Sequence, residues 1–161
     1  MSAHSKSNID IIAMFTELQH ACTAISSMTI EQLYISPGHN VCGHHGQSAG
    51  KSPLIEVDTV ECVAGRGLRG DRFFDFREDY KGQITFFAHE VFDDLCRHLG
   101  VMTVSPGATR RNAITRGIHL NHLIGKRFTL QEIEFGGICE CRPCYWMDTA
   151  IAPGAEAALQ G

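Results

Sequence analysis

Hydrophobic positions along the chain recur at two different spacings. Over residues 8–25 the apolar residues return every three or four positions, which predicts an amphipathic helix. From residue 29 onward, short apolar runs are separated by glycine and proline turns, a pattern typical of β-strands. The predicted strands lie within residues 30–35, 53–63, 82–87, 109–115 and 126–135, the last as a strand pair or a bulged strand.

Only short helices are predicted after residue 29. Residues 89–99 place Phe92, Leu95 and Leu99 on one face, and Gly100 provides a stop. Residues 118–124 suit a single helical turn, and Pro153 can open a last helix that continues to residue 159. Many short strands with few helices favour a mainly β fold, a barrel or a bent sheet, over a doubly wound fold.

Composition sets the class of protein. The 161 residues suit one domain, and 43% hydrophobic residues suffice for one core. A net charge of -4 argues against a nucleic-acid binder. The polar first residues resemble neither a signal peptide nor a membrane span, and the seven cysteines are an odd number. We therefore expect a cytoplasmic protein with reduced thiols that binds neither nucleic acid nor membrane.

Three of the cysteines, Cys139, Cys141 and Cys144, fall within six positions, and the only tryptophan follows at Trp146. Thiolate sulfur is a soft ligand and a strong nucleophile, so this cluster indicates metal binding, sulfur handling or redox chemistry. The alternative is packing, because cysteine is also a small, often buried hydrophobe. The adjacent glycines and Pro143 predict an irregular loop here rather than a strand.

A second group of sulfur and nitrogen ligands occupies the glycine-rich residues 38–50. His39, Cys42, His44 and His45 are types that bind zinc. Their spacing matches no common zinc template, however, which favours a plain flexible loop.

Arginines occur in two segments that could bind an anion. Residues 65–72 combine three glycines with three arginines, of which Arg69 and Arg72 are candidates for phosphate contacts. A glycine-rich hairpin with solvated arginines explains the same residues equally well. Arg110 and Arg111 form the second candidate, with a pair of solvated arginines as its alternative.

Five segments together carry a family resemblance: GLRGDRFF at 67–74, GQITFF at 82–87, RRNAITRG at 110–117, IGKRFTL at 124–130 and CECRPCYWMD at 139–148. In this order and spacing they resemble the MOSC domain family, named for the C-terminal domain of molybdenum cofactor sulfurase. The resemblance begins near residue 29, which divides the chain into an N-terminal helical extension, residues 1–27, and a MOSC domain, residues 28–161.

The resemblance implies a compact MOSC-type β-barrel that binds the molybdenum cofactor, molybdopterin. Cys144 matches the family cysteine that binds molybdenum or carries sulfur, which makes it the expected catalytic residue and metal ligand, with Cys141 auxiliary. Arg110, Arg111 and Asn112 match the element expected to hold the pterin phosphate. The implied function is either reduction of N-hydroxylated compounds or transport of the sulfurated cofactor.

The resemblance also bears on partners. The chain contains no flavin, haem or iron–sulfur motif, so a reductase of this kind needs a separate electron-donor protein besides its small-molecule substrate. Pyridoxal phosphate, which some family descriptions include, belongs to a fused desulfurase domain, and none of the four lysines has a recognisable Schiff-base setting. A homodimer is a further expectation. The alternative function is a non-catalytic module whose structural zinc is bound by Cys139, Cys141 and Cys144.

Overall fold

The computed structural model describes residues 10–15, 23–24, 27–40, 46–78 and 80–160. Within these residues it contains ten strands: β1 (Asp10–Phe15), β2 (Thr23–Ala24), β3 (Thr29–Ile35), β4 (Ile55–Glu56), β5 (Cys62–Val63), β6 (Gly67–Leu68), β7 (Ile84–Ala88), β8 (Ala113–Arg116), β9 (Arg127–Leu130) and β10 (Ile133–Glu140). Three α-helices accompany them: α1 (His89–Leu99), α2 (Trp146–Ala150) and α3 (Ala155–Leu159). Residues Pro106–Thr109 and Leu120–Leu123 form short 3₁₀ helices.

Eight strands form one mixed sheet in the order β2-β9-β10-β1-β7-β8-β3-β4, and β5 and β6 form a separate hairpin. The sheet ends at β2 on one side and at β4 on the other, each only two residues long, and these edges do not pair with each other. The predicted β-barrel, and with it the mainly β class, is therefore wrong. Strand spacing alone does not determine whether a sheet closes, because closure needs a particular tilt and register.

The parallel pair of β7 and β8 is joined through α1, so helix packing is part of the architecture. The prediction of a helix at residues 89–99 is confirmed by α1. Gly100 ends this helix in the left-handed conformation, with φ of 68°. Phe92 and Leu95 are the buried residues of the helix, as its apolar spacing predicted.

The helix predicted for residues 8–25 is wrong where the structure describes this segment. Residues 10–15 form β1, which pairs antiparallel with both β7 and β10, and residues 23–24 form β2 beside β9. The rest of the predicted helix lies outside the described residues. The β-branched residues Ile11 and Ile12 favour a strand. Hydrogen bonding of β1 to a strand on each side outweighs the helical spacing of its residues, because helix propensity is only a weak local preference.

Several other strand predictions are confirmed with changed bounds. Residues 30–35 lie within β3, and residues 126–135 cover β9 and the first residues of its partner β10. Residues 53–63 do not form one strand, because β4 pairs with β3 while β5 pairs with β6.

Strand β10 also overturns the irregular loop expected at the two glycines. Gly136 and Gly137 are buried within it and pair with β1. A Cβ atom on Gly137 would lie 2.1 Å from the carbonyl oxygen of Leu123. Glycine is therefore needed there for close backbone approach rather than for a turn.

The core lies on both faces of the sheet. Neighbouring residues of β7 point to opposite faces, so Phe86 packs with Phe128 and Phe135, while Phe87 packs with Phe92 and Met147. The second cluster includes residues of α1, α2 and α3, which fixes α2 against the sheet. Within the described segments, no helix has both the length and the apolar character needed to cross a bilayer.

Candidate functional site

The structure brings the predicted cysteine and arginine segments together around one cavity of about 430 Å³. The walls come from the residues after β10, the start of α2, the turn that ends the 3₁₀ helix Pro106–Thr109, and the segments around residues 39 and 72. The lining includes His39, Arg72, Phe73, Tyr80, Arg110, Arg111, Cys141, Arg142, Cys144 and Trp146.

Two of the three clustered cysteines line this cavity. Cys141 follows the end of β10 and is half-buried, whereas Cys144 is exposed. The amide of Met147 donates to the carbonyl oxygen of Cys144 at 2.8 Å, and Met147 is itself buried in the core. The position of Cys144 is therefore tied to the packing of α2.

Cys139 does not line the cavity. It lies in β10, where its sulfur is 3.5 Å from the Nζ atom of Lys81. No group of three or more histidine, cysteine or acidic side chains within the described residues could hold a metal ion. The geometry therefore gives no support to a zinc site shared by Cys139, Cys141 and Cys144. Three of the four candidate zinc ligands in the glycine-rich residues 38–50, namely Cys42, His44 and His45, lie outside the described residues.

Four arginines line the cavity: Arg72, Arg110, Arg111 and Arg142. The predicted candidate Arg69 is elsewhere, because it pairs with Glu61 and lies over the ring of Phe74. Residues 65–72 thus contribute to the hairpin of β5 and β6, and one of their three arginines, Arg72, lies at the cavity.

Arg110 has an unusual backbone conformation. It follows the 3₁₀ helix in the left-handed region, with φ of 55°, which costs a residue with a side chain about 1–2 kcal/mol. This conformation directs its guanidinium to the Ser36 hydroxyl at 2.7 Å and to the Gly38 carbonyl at 3.3 Å. Burial lowers the pKa of Arg110, the nearby Arg72 lowers it further, and Asp71 opposes both. A half-buried cation whose direct contacts are neutral oxygens would be stabilised by a bound anion.

Asn112, also predicted to bind cofactor, lies behind the cavity wall and is 2% exposed. Its Oδ1 atom accepts from the Thr85 amide at 3.1 Å and the Thr85 hydroxyl at 2.9 Å. Its Nδ2 group donates to the Tyr34 carbonyl and to Asp71, each at 3.1 Å. The fold uses both ends of this amide, and the structure does not bring it into the cavity.

One wall of the cavity is aromatic, which the sequence patterns did not reveal. Phe73 stacks on Tyr80 with ring centroids 5.2 Å apart, and His39 meets the edge of Phe73 at 4.9 Å. Burial and then the charge of Arg72 lower the pKa of His39. Phe73 adjoins Arg72 in sequence, so its presence could have been inferred, but Tyr80 and His39 come from separate loops that only the fold unites.

A comparison with protein-family models gives one match, to the MOSC domain, over residues 44–160, which is more than half of the chain. The chain belongs to the MOSC domain family. The search of curated proteins produced no match, and neither did the search of solved structures. MOSC membership makes this a domain related to the molybdenum cofactor.

The cavity residues suit the cofactor that the MOSC domain implies. The cavity volume of about 430 Å³ falls within the range typical of small-molecule sites. Guanidinium groups match a phosphate through paired donors, and a cysteine thiolate is a soft ligand suited to a transition metal. Arg110, Arg111 and Cys144 supply these two kinds of group on the walls of the same cavity.

Proposed function

We propose that the protein binds the molybdenum cofactor in this cavity, with Cys144 as the thiolate ligand of the metal. The observation that carries the proposal is the convergence of an exposed cysteine with four arginines on the walls of a single cavity. Arg72 and Cys144 are more than 70 positions apart in the sequence, so only folding brings these residues together. Arg110 and Arg111 would hold the phosphate of the cofactor.

The remaining cavity residues would shape the site around this ligand. Arg142 and Arg72 add positive charge, which complements an anionic group. Trp146 supplies a large apolar surface that limits water near Cys144. Cys141 lies on the same cavity and would be auxiliary, without being required for metal binding.

The reaction that we propose is the reduction of N-hydroxylated small molecules in the cytoplasm. When bound, the cofactor supplies the chemistry for removing an oxygen atom from the substrate. The protein would position the substrate against the aromatic wall of Phe73 and Tyr80 and exclude part of the water from the site. Electrons would come from a separate donor protein.

A carrier role for the sulfurated cofactor is the second candidate. The exposure of Cys144 favours it, because a group that is passed to another protein must be accessible. The two functions differ in turnover: a reductase consumes substrate when electrons are supplied, whereas a carrier binds the cofactor without turnover.

The first experiment measures molybdenum and pterin per chain in protein purified from a host that makes the cofactor. We expect both in the parent protein and a loss of molybdenum in Cys144→Ser, because serine keeps the shape but removes the soft ligand. Cys139→Ser is the matched control, since Cys139 does not line the cavity. Zinc at about one per chain without pterin, or full molybdenum in Cys144→Ser, would refute the proposal.

A further inference from the structure

We propose that Ser36, Asp71 and Asn112 are positioning residues that hold the Arg72 and Arg110 guanidinium groups ready for a phosphate-type anion. None of the three lines the cavity, and all are buried directly behind its arginine wall. The inference rests on the proposed function only in taking this cavity as the phosphate site. The anion would contact the two arginines, and the polar network behind them would hold them in place without contacting the ligand.

Ser36 is the centre of the network and is fully buried. Its amide donates to Asp71 at 3.0 Å, and its carbonyl accepts from the amide of Arg72 at 2.7 Å. Its hydroxyl donates to the carbonyl of Gly38 at 3.0 Å and accepts from the guanidinium of Arg110 at 2.7 Å. Every polar group of Ser36 therefore connects to this network, which fixes the hydroxyl as a partner for Arg110.

Asp71 connects Ser36 to the second arginine. Its side chain is 1% exposed, and its Oδ2 atom also accepts from Asn112 at 3.1 Å and from Arg72 at 3.3 Å. Its Oδ1 atom accepts from the amide of Phe73 at 3.1 Å. A buried carboxylate is stable only while these donors surround it. Its charge therefore fixes the positions of all of these donor groups together.

Arg72 completes the network by holding the backbone of Arg110. The Arg72 guanidinium donates to the carbonyl oxygen of Arg110 at 3.0 Å, and the Arg110 amide donates to Gly107 at 2.8 Å. These contacts act on the residue that occupies the left-handed region. A long side chain persists in that conformation only when its surroundings determine it. The network thus places two guanidinium groups before the ligand arrives, which lowers the cost of ordering them on binding.

The test uses cofactor-free, full-length protein titrated with inorganic phosphate, followed by calorimetry and by the fluorescence of Trp146. We expect Ser36→Ala to weaken phosphate binding by about threefold to tenfold, and Asp71→Asn to weaken it by more. Ser36→Ala should have no further effect in an Arg110→Ala background, because the Ser36 hydroxyl acts on Arg110, whereas Asp71→Asn should keep the part of its effect that passes through Arg72. A purely structural role would instead lower affinity equally in both backgrounds.

Thr115→Val is the matched control. Thr115 is also fully buried, and among the described residues its hydroxyl is hydrogen-bonded to the Phe87 carbonyl alone, at 3.4 Å, so its loss should reduce stability without changing phosphate affinity. If Asp71→Asn does not fold, the Ser36→Ala result decides the matter alone. The inference is overturned if the parent protein binds no phosphate, if Arg110→Ala binds as well as the parent, or if the Ser36 and Arg110 effects are additive. A parent that binds phosphate but acquires no molybdenum or pterin overturns the proposed function and leaves this inference standing.

Discussion

At the scale of single residues, the cysteines differ in how far water reaches them. Cys144 is exposed at the cavity, whereas Cys62 is packed against the core of the sheet. Burial raises the pKa of Cys62 to about 11, and burial followed by the charge of Asp93 raises that of Cys96. A thiol with a raised pKa holds its proton at neutral pH and is a poor nucleophile. The fold therefore separates a chemically accessible thiol from thiols that only pack.

This difference predicts the order of alkylation in the native, cofactor-free protein. We expect iodoacetamide at pH 8 to modify Cys144 well before Cys62 and Cys96, which should remain unmodified until the protein is unfolded. Peptide mass spectrometry over a time course measures the order, and a sample in denaturant provides the control in which all thiols react. Early modification of Cys62 would show that its environment is more open than the structure indicates.

The sequence predicts most of the polar side chains that line the cavity, but it does not show which of the predicted residues face the interior instead. Cys144, Cys141, Arg72, Arg110 and Arg111 were all selected as site residues, and all line the cavity. Asn112 and Arg69 were selected by the same reasoning and lie elsewhere. A motif shows that a polar residue is present, but whether it faces a ligand or the interior depends on contacts with distant segments, such as those of Asn112 with Thr85 and Tyr34.

At the scale of elements, a close backbone approach joins β10 to the segment around the end of the 3₁₀ helix Leu120–Leu123. The amide of Gly137 donates to the carbonyl of Lys126 at 2.9 Å, and its carbonyl accepts from the amide of Gly125 at 2.8 Å. Elements whose signals are local, such as α1 with its glycine stop, could be predicted from the sequence. Strand β1 could not, because its neighbours β7 and β10 lie far along the chain.

Gly137→Ala tests this approach. We expect it to lower the free energy of unfolding by about 3 kcal/mol or more, because the new methyl group would meet the backbone oxygen of Leu123 rather than a movable side chain. Gly125→Ala is the comparison: its φ is 74° but nothing lies within 4 Å of the added atom, so it should cost only about 1 kcal/mol. Denaturant unfolding of the variants gives both values, and equal costs would contradict the close packing.

At the scale of the whole molecule, the sheet is continuous across the boundary that the family resemblance indicated. The strands after residue 28 do not form one sheet by themselves, since β7 and β10 are each hydrogen-bonded to β1. The cavity is lined mainly by residues of loops and of α2, where segments distant in sequence meet. Loops on a rigid scaffold are a common place for binding residues, and here they carry Arg72, Arg110 and Cys144.

Deleting residues 1–27 tests how far the fold depends on β1. We expect the shortened protein to lose cooperative unfolding and to aggregate, because the deletion exposes the hydrogen-bonding edges of β7 and β10 in the middle of the sheet. Circular dichroism during heating, together with light scattering, measures both effects. Deleting residues 1–9 is the control, since it shortens the chain but keeps β1 and should preserve the unfolding transition. If the protein without residues 1–27 unfolds cooperatively and still binds phosphate, β7 and β10 can be stable without β1, and the domain begins near residue 28 as the family resemblance implied.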